Sequence, residues 1–241
     1  MKRFLLATAV TAGFICACVS QSPQPLHDKQ QKPSDFSEKF YFDASERGRP
    51  IFRIDPALSL AVIEVRRGGS LARLGHDHVV ASHDIQGFLA PEEGRSDVYV
   101  QLDRLVVDEP ELRAESGFDT QPSAAFIAAT RQNMLDKVLE VEQYRFARIS
   151  VRTADSEIGD SRLNVSMTLH GSTRTLQVPV MIEKNGDEIA VSGRLMFNQT
   201  DFGMAPFSIL GGAITVQDPV YVRFHIRARR MMSANLSEAK E

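Results

Sequence analysis

Three consecutive runs of alternating apolar residues constrain the fold of this chain more than any other feature. Each run places apolar residues, or a glycine, at every second position: Leu163, Val165, Met167 and Leu169, then Leu176, Val178, Val180 and Ile182, then Ile189, Val191, Gly193, Leu195 and Phe197. A period of two is typical of a strand with one buried face. The turn signals Gly171-Ser172 and Asn185-Gly186 separate the runs, so the pattern predicts an antiparallel meander.

Further strands and one helix surround this meander. Alternation over residues 216–226 predicts a last strand, with Tyr221, Arg223 and His225 on its other face. Residues 57–65 and 98–102 predict earlier strands. Residues 124–142 carry apolar side chains at spacings near 3.6 without an interrupting Gly or Pro, which predicts a helix. Many short strands joined by turns favour a sandwich or a closed barrel, and 241 residues fit one such domain.

The N-terminal segment has the pattern of a lipoprotein signal peptide. Lys2 and Arg3 precede an apolar run over residues 4–15, which is too short to span a bilayer. The run Ile15-Cys16-Ala17-Cys18 resembles a lipobox, which implies that Cys18 is lipidated and becomes the mature N-terminus. Cys16 is unusual at its lipobox position. Ordinary signal-peptidase cleavage nearby is therefore one alternative, and a buried N-terminal helix is the alternative to a signal peptide.

This interpretation divides the chain into four parts: a signal peptide (1–17), a lipidated N-terminus and linker (18–48), a barrel domain (49–230) and a polar tail (231–241). The segment after Cys18 is rich in Ser, Gln and Pro, as flexible tethers are. Several acyl chains, such as palmitate, would hold the protein stably to a membrane. The predicted location is the periplasm, with the protein anchored to the bacterial cell envelope.

Cysteine usage and charge exclude several kinds of function. Both cysteines, Cys16 and Cys18, lie in the signal region, so the predicted mature domain has no disulfide, thiol nucleophile or cysteine metal ligand. A net charge of −3 gives no reason to expect a nucleic acid as partner. No Ser-His-Asp order, phosphate loop or paired-carboxylate setting stands out. The sequence therefore predicts a binding protein rather than an enzyme, with no cofactor.

Four segments, in order along the chain, resemble motifs of the YceI family. An Arg-x-x-Met-Leu helix leads into Tyr-x-x-Ala-x-Ile-x-Val over residues 131–151, and the others are LNVSMTLHGSTR (163–174), GRLMFNQTDFG (193–203) and DPVYVRF (218–224). The resemblance covers most of residues 50–230. It implies an exported, lipocalin-like, eight-stranded antiparallel barrel with one α-helix around an apolar cavity. Some members of the family bind polyisoprenoid or related amphiphilic lipids.

An eight-stranded barrel either is filled by its own side chains or holds one small ligand, and both alternatives stay open on the sequence. If there is a cavity, its expected lining consists of the residues with inward parity: Val165, Met167, Leu169, Val178, Val180, Leu195, Phe197, Val222 and Phe224. The partner would then be an amphiphilic lipid such as a polyisoprenoid.

A histidine cluster carries the alternative function. His76, His78 and His83 lie within eight residues, and on a strand the first two would point to the same face, as two ligands of one metal must. These three side chains therefore form a candidate metal site. The favoured interpretation is that the cluster orders the barrel mouth or contacts a ligand headgroup. The neighbouring acidic loop at Asp108, Glu109, Glu111 and Glu115 is expected to be solvated.

Overall fold

The computed structural model of the chain describes residues 31–118, 120–152 and 158–232. The predicted signal peptide, Cys18 and residues 233–241 lie outside these ranges. The described strands, β1 to β12, are Phe52–Ile54, Leu60–Gly68, His78–Ser82, Ile85–Ala90, Arg95–Gln101, Val106–Val107, Phe146–Arg152, Gly159–Leu169, Ser172–Asn185, Glu188–Asn198, Ser208–Ile209 and Ile214–Arg230. The α-helices, α1 to α3, are Lys39–Glu46, Pro110–Glu115 and Ala124–Asn133.

Eight of these strands close into an antiparallel barrel. Their order is β1-β4-β5-β7-β8-β9-β10-β12, and pairing of β12 with β1, Phe52 opposite Arg230, completes the ring. Beyond its pairing with β1, the same edge of β12 pairs with β2, which continues through β3 to β6. The predicted eight-stranded barrel is confirmed.

The meander of β8, β9 and β10 forms where the alternation predicts it. Leu169 pairs with Ser172, and His170 and Gly171 between them both have positive φ, as a type I′ turn requires. The ladder between β9 and β10 extends only from the Asn185–Glu188 pair to Val180–Gly193. The next residue of β9 is Pro179, which has no N–H to donate. The two strands separate from that point.

One end of the barrel is closed by helical segments. Helix α3 begins after Ser123, whose side chain accepts a hydrogen bond from the Phe126 N–H, and it continues as a π-helical turn at Met134–Val138. It therefore ends a few residues before the predicted residue 142. Leu135 and Val138 of this turn pack with Phe202, which follows β10 and is fully buried. We call this the closed end.

Part of the predicted linker belongs to the packed structure. The compact unit begins at Lys32, and α1 lies within the range 18–48 that the composition assigned to a tether. Tyr41 and Ala44 of α1 are fully buried, and the Tyr41 ring stacks on Phe88 of β4 at 4.9 Å between centroids. The aromatic residues of α1 cover the barrel wall. Among the described residues, no helix has the length and apolar character needed to cross a bilayer.

Candidate functional site: the barrel interior

The barrel encloses a cavity of about 610 Å³. Its wall is formed mainly by inward side chains of seven of the barrel strands and of β2 and β3, and almost all of them are aliphatic or aromatic. The nine residues expected as its lining all lie on this wall: Val165, Met167, Leu169, Val178, Val180, Leu195, Phe197, Val222 and Phe224. Their contact with a ligand stays a prediction.

The burial pattern along β12 shows where the interior is empty. Val220, near the middle of the strand, and Ala228, near its end, are 5% and 0% exposed. Val222, Phe224 and Ile226 point to the same inner face between them, yet they are only partly buried. An inward apolar side chain is accessible in this way only when no other atoms fill the space beside it. The barrel is therefore not filled by its own side chains.

The cavity reaches the surface at one end. Its lining there includes Glu92 from the β4–β5 connection, Ile158 just before β8, and Lys184 near the end of β9, and all three are exposed. We call this end the rim. At the closed end the lining residues Leu105, Val138 and Met204 are buried. The arrangement presents a charged rim to water and an apolar interior behind it.

Polar atoms contribute little to the interior wall. The side-chain amide of Gln199, at the closed end, donates to the Gln217 carbonyl at 2.9 Å and is therefore already used by the backbone. Polar side chains at the rim are engaged as well, since Arg95 donates to Asp97 at 2.9 Å. The interior can therefore bury an apolar chain, and the rim can contact a polar head group.

The structure does not bring the three predicted histidine ligands together. His78 Nδ1 lies 2.6 Å from the Asp108 carboxylate, whereas His83 Nε2 lies 2.8 Å from the carboxylate of Glu109. His76 precedes β3, and its ring centroid is 6.3 Å from that of His78. In the described ranges, no group of three or more His, Cys, Asp or Glu side chains is placed to hold a metal ion. The structure thus does not support the three-histidine site, because His78 and His83 have different carboxylate partners.

The expectation that the acidic loop is solvated is wrong for Asp108. Its side chain is 0% exposed, and it accepts hydrogen bonds from Arg113, itself 1% exposed, and from the Val79 N–H at 3.1 Å. We call His78, Asp108 and Arg113 the charged cluster. Arg113 also donates to the Asp77 carbonyl at 2.7 Å. His78 and Arg113 are 30 and five residues from Asp108 and lie on different elements, so no local sequence pattern predicts the cluster.

Burial alone would raise the pKa of the Asp108 carboxyl. The hydrogen bond and charge of His78, together with hydrogen bonds from Arg113 and Val79, outweigh burial and hold this pKa below its usual range. Burial lowers the pKa of His76, and repulsion from His78 and Arg113 adds to that effect. The cluster is thus a carboxylate kept ionised by its partners. It lies near the closed end, away from the rim.

Comparison with known proteins agrees with this architecture. A YceI-like domain model matches residues 69–228, and no curated protein gives a match. A polyisoprenoid-binding domain from Saccharophagus degradans has a TM-score of 0.55 at 12% identity, covering 75% of this chain and 98% of that one. For BcnA of Burkholderia cenocepacia the TM-score is 0.50 at 16% identity, with 72% and 98% covered. These structures share the fold, and the family match spans most of the barrel: the chain belongs to the YceI family.

Proposed function

We propose that this protein binds an amphiphilic, polyisoprenoid-like lipid, with the apolar tail in the barrel cavity and the head at the rim. The observation that carries the proposal is the apolar cavity of about 610 Å³. Among the described residues that line it, the exposed ones all lie at the rim. Pockets for small ligands typically occupy about 300–1,000 Å³. The polyisoprenoid-binding domain from Saccharophagus degradans, which shares the fold, supports this class of ligand.

The chemistry of the wall favours a long hydrocarbon over a polar metabolite. Burial of each CH₂ group contributes about 0.8 kcal/mol, from which the cost of ordering the chain must be subtracted. A tail with many such groups gains affinity without specific polar contacts, which the wall barely offers. A wall of this composition also supports binding rather than catalysis, since general acid–base or nucleophilic chemistry needs polar groups at the substrate.

Envelope anchoring is part of the proposal. The run Ile15-Cys16-Ala17-Cys18 supports lipidation of Cys18, and the segment that follows would tether a barrel unit that begins at Lys32. The Cys18→Ser variant is expected to lose acylation and membrane attachment, whereas Cys16→Ser should stay anchored. Fractionation and mass spectrometry of the mature N-terminus measure both. Equal behaviour of the two variants would refute the assignment of Cys18.

A cavity-filling variant tests the lipid site. Val222→Trp places a large side chain in the empty part of the interior, so capture of a polyprenol from detergent micelles should fall at least tenfold. The fold should survive, because overpacking typically costs about 1–3 kcal/mol. Tyr221→Trp is the matched control, since Tyr221 is the preceding residue on β12, 46% exposed on the outer face. Wild-type binding by a folded Val222→Trp variant would contradict the proposal, and native mass spectrometry would show which lipid co-purifies.

A further inference from the structure

A second concavity, of about 730 Å³, lies on the outside of the barrel. It crosses β8, β9, β10, β12 and β2, and its charged lining residues are Asp160, Arg162, Arg194, Arg223 and His225. We call it the outer groove. Three arginines and one histidine face a single aspartate, although the chain as a whole has a net charge of −3. The positive charge is therefore a local property of this surface.

The strand register places two of these arginines side by side. Arg194 of β10 is directly opposite Arg223 of β12. Like charges at directly opposed positions destabilise a sheet. Arg223 forms an ion pair with Glu115 at 2.8 Å, on the side of α2. Within the described part of the chain, Arg194 has no carboxylate within ion-pair distance, so the repulsion across this pair is only partly compensated.

The neighbouring pair row supplies hydrogen-bonding groups. Ser192 is opposite His225, and its hydroxyl lies 3.0 Å from His225 Nδ1. On the other edge of β10, Ser192 is opposite Met181 of β9. The groove therefore combines guanidinium groups in one row with a hydroxyl and an imidazole in the next.

The separation of β9 from β10 gives the groove its depth. The ladder stops at Val180–Gly193, and Arg162 of β8 is opposite Pro179, where the two strands diverge. Gly193 has no side chain there, and a Cβ at this position would lie 2.6 Å from the Phe224 ring. Val180 and Phe224 line both the groove and the internal cavity. The two sites are thus separated by a thin part of the wall.

We propose that the outer groove binds a phosphate or diphosphate group. Arginine presents parallel N–H donors that match phosphate oxygens in pairs, and an anion between Arg194 and Arg223 would remove their repulsion. Two or more guanidinium groups around one concavity fit a ligand with several charged oxygens better than a single carboxylate. The phosphate can belong to a soluble compound or to the head of a phosphorylated lipid.

Inorganic pyrophosphate tests the groove without involving the cavity. Titration of the folded protein should shift the NMR signals of Ser192, Arg194 and Arg223, and calorimetry should show binding that weakens as salt screens the charges. Arg194→Gln should lower the affinity by about tenfold, because a hydrogen bond to a charged group is lost. Arg174→Gln, on β9 outside the groove lining, is the control and should bind as the wild type does.

Lipids distinguish the two sources of phosphate. If the source is a lipid head presented from outside the cavity, a polyprenyl phosphate should displace pyrophosphate from the groove, and Arg194→Gln should weaken that displacement but not the binding of the matching polyprenol in the cavity. If it is a soluble compound, Arg194→Gln should weaken pyrophosphate alone. Failure of polyprenol to bind at all would refute the proposed function of the cavity, but it would not affect the inference about the outer groove. Absence of pyrophosphate shifts in the groove, with polyprenyl phosphate bound equally by wild type and Arg194→Gln, would overturn the inference.

Discussion

The cavity wall lies inside the barrel, whereas the charged cluster lies between β3, the loop before α2 and α2, and the two regions depend on different interactions. The wall leaves space beside Val222 and Phe224, and its side chains need no particular partner. The charged cluster leaves Asp108 with no exposed surface and surrounds it with donors. A nondirectional apolar surface tolerates a change of occupant, whereas buried charges require their partners in place. The protein thus combines an adaptable region, the cavity wall, with a fixed one, the charged cluster.

The largest difference is expected when one partner is removed from the charged cluster. Arg113→Met leaves the Asp108 carboxylate buried without its cation, which should lower the free energy of unfolding by about 3–5 kcal/mol. Urea unfolding followed by circular dichroism measures this. Arg227→Met is the control, because the ion pair of Arg227 with Glu188 is partly exposed and such pairs contribute about 0–1 kcal/mol. Equal effects of the two changes would show that the cluster is not a fixed element.

A smaller contrast is expected between two leucines. Leu135, at the closed end, is 7% exposed and belongs to the buried cluster around Phe202, so Leu135→Ala should cost about 2–5 kcal/mol. Leu195 on the cavity wall is only partly buried and already faces empty space. Leu195→Ala should cost clearly less, because fewer contacts are lost. Chemical denaturation of both variants tests this, and a cost for Leu195→Ala as large as that for Leu135→Ala would mean that the wall is tightly packed.

The smallest expected effect is the change of stability with pH that the ionisation of Asp108 causes. Its pKa is depressed in the folded protein, so the stabilisation is complete above the unfolded value of about 3.9 and is lost as the pH falls through the folded pKa. Unfolding measured from pH 6 downward should show little change until about pH 4 and then a decline. NMR of the Asp108 side-chain carboxyl measures the titration of this residue directly. A midpoint above that of a model aspartate would reverse the predicted sign. The cavity wall, which barely titrates, should contribute nothing to this dependence.

The sequence predicted the cavity wall far better than the charged cluster. Alternation over residues 163–226 assigns a face to each side chain, so the nine lining residues follow from parity alone. The charged cluster joins β3 to a loop and to α2, and local patterns carry no information on such contacts. Composition likewise missed α1, because Tyr41 is buried only through tertiary packing on Phe88. The pairing of Arg194 with Arg223 needed the strand register, which sequence parity does not fix.

Closure of the ring by the pairing of Phe52 with Arg230 has a consequence for folding. These residues lie near opposite ends of the described chain, and pairings so distant along the sequence form slowly. Until β12 docks on β1, the sheet is an open band with two free edges and an exposed apolar face, and such species are prone to aggregation. The cavity is then among the last features of the barrel to form. It should be among the first to be lost when β12 is shortened.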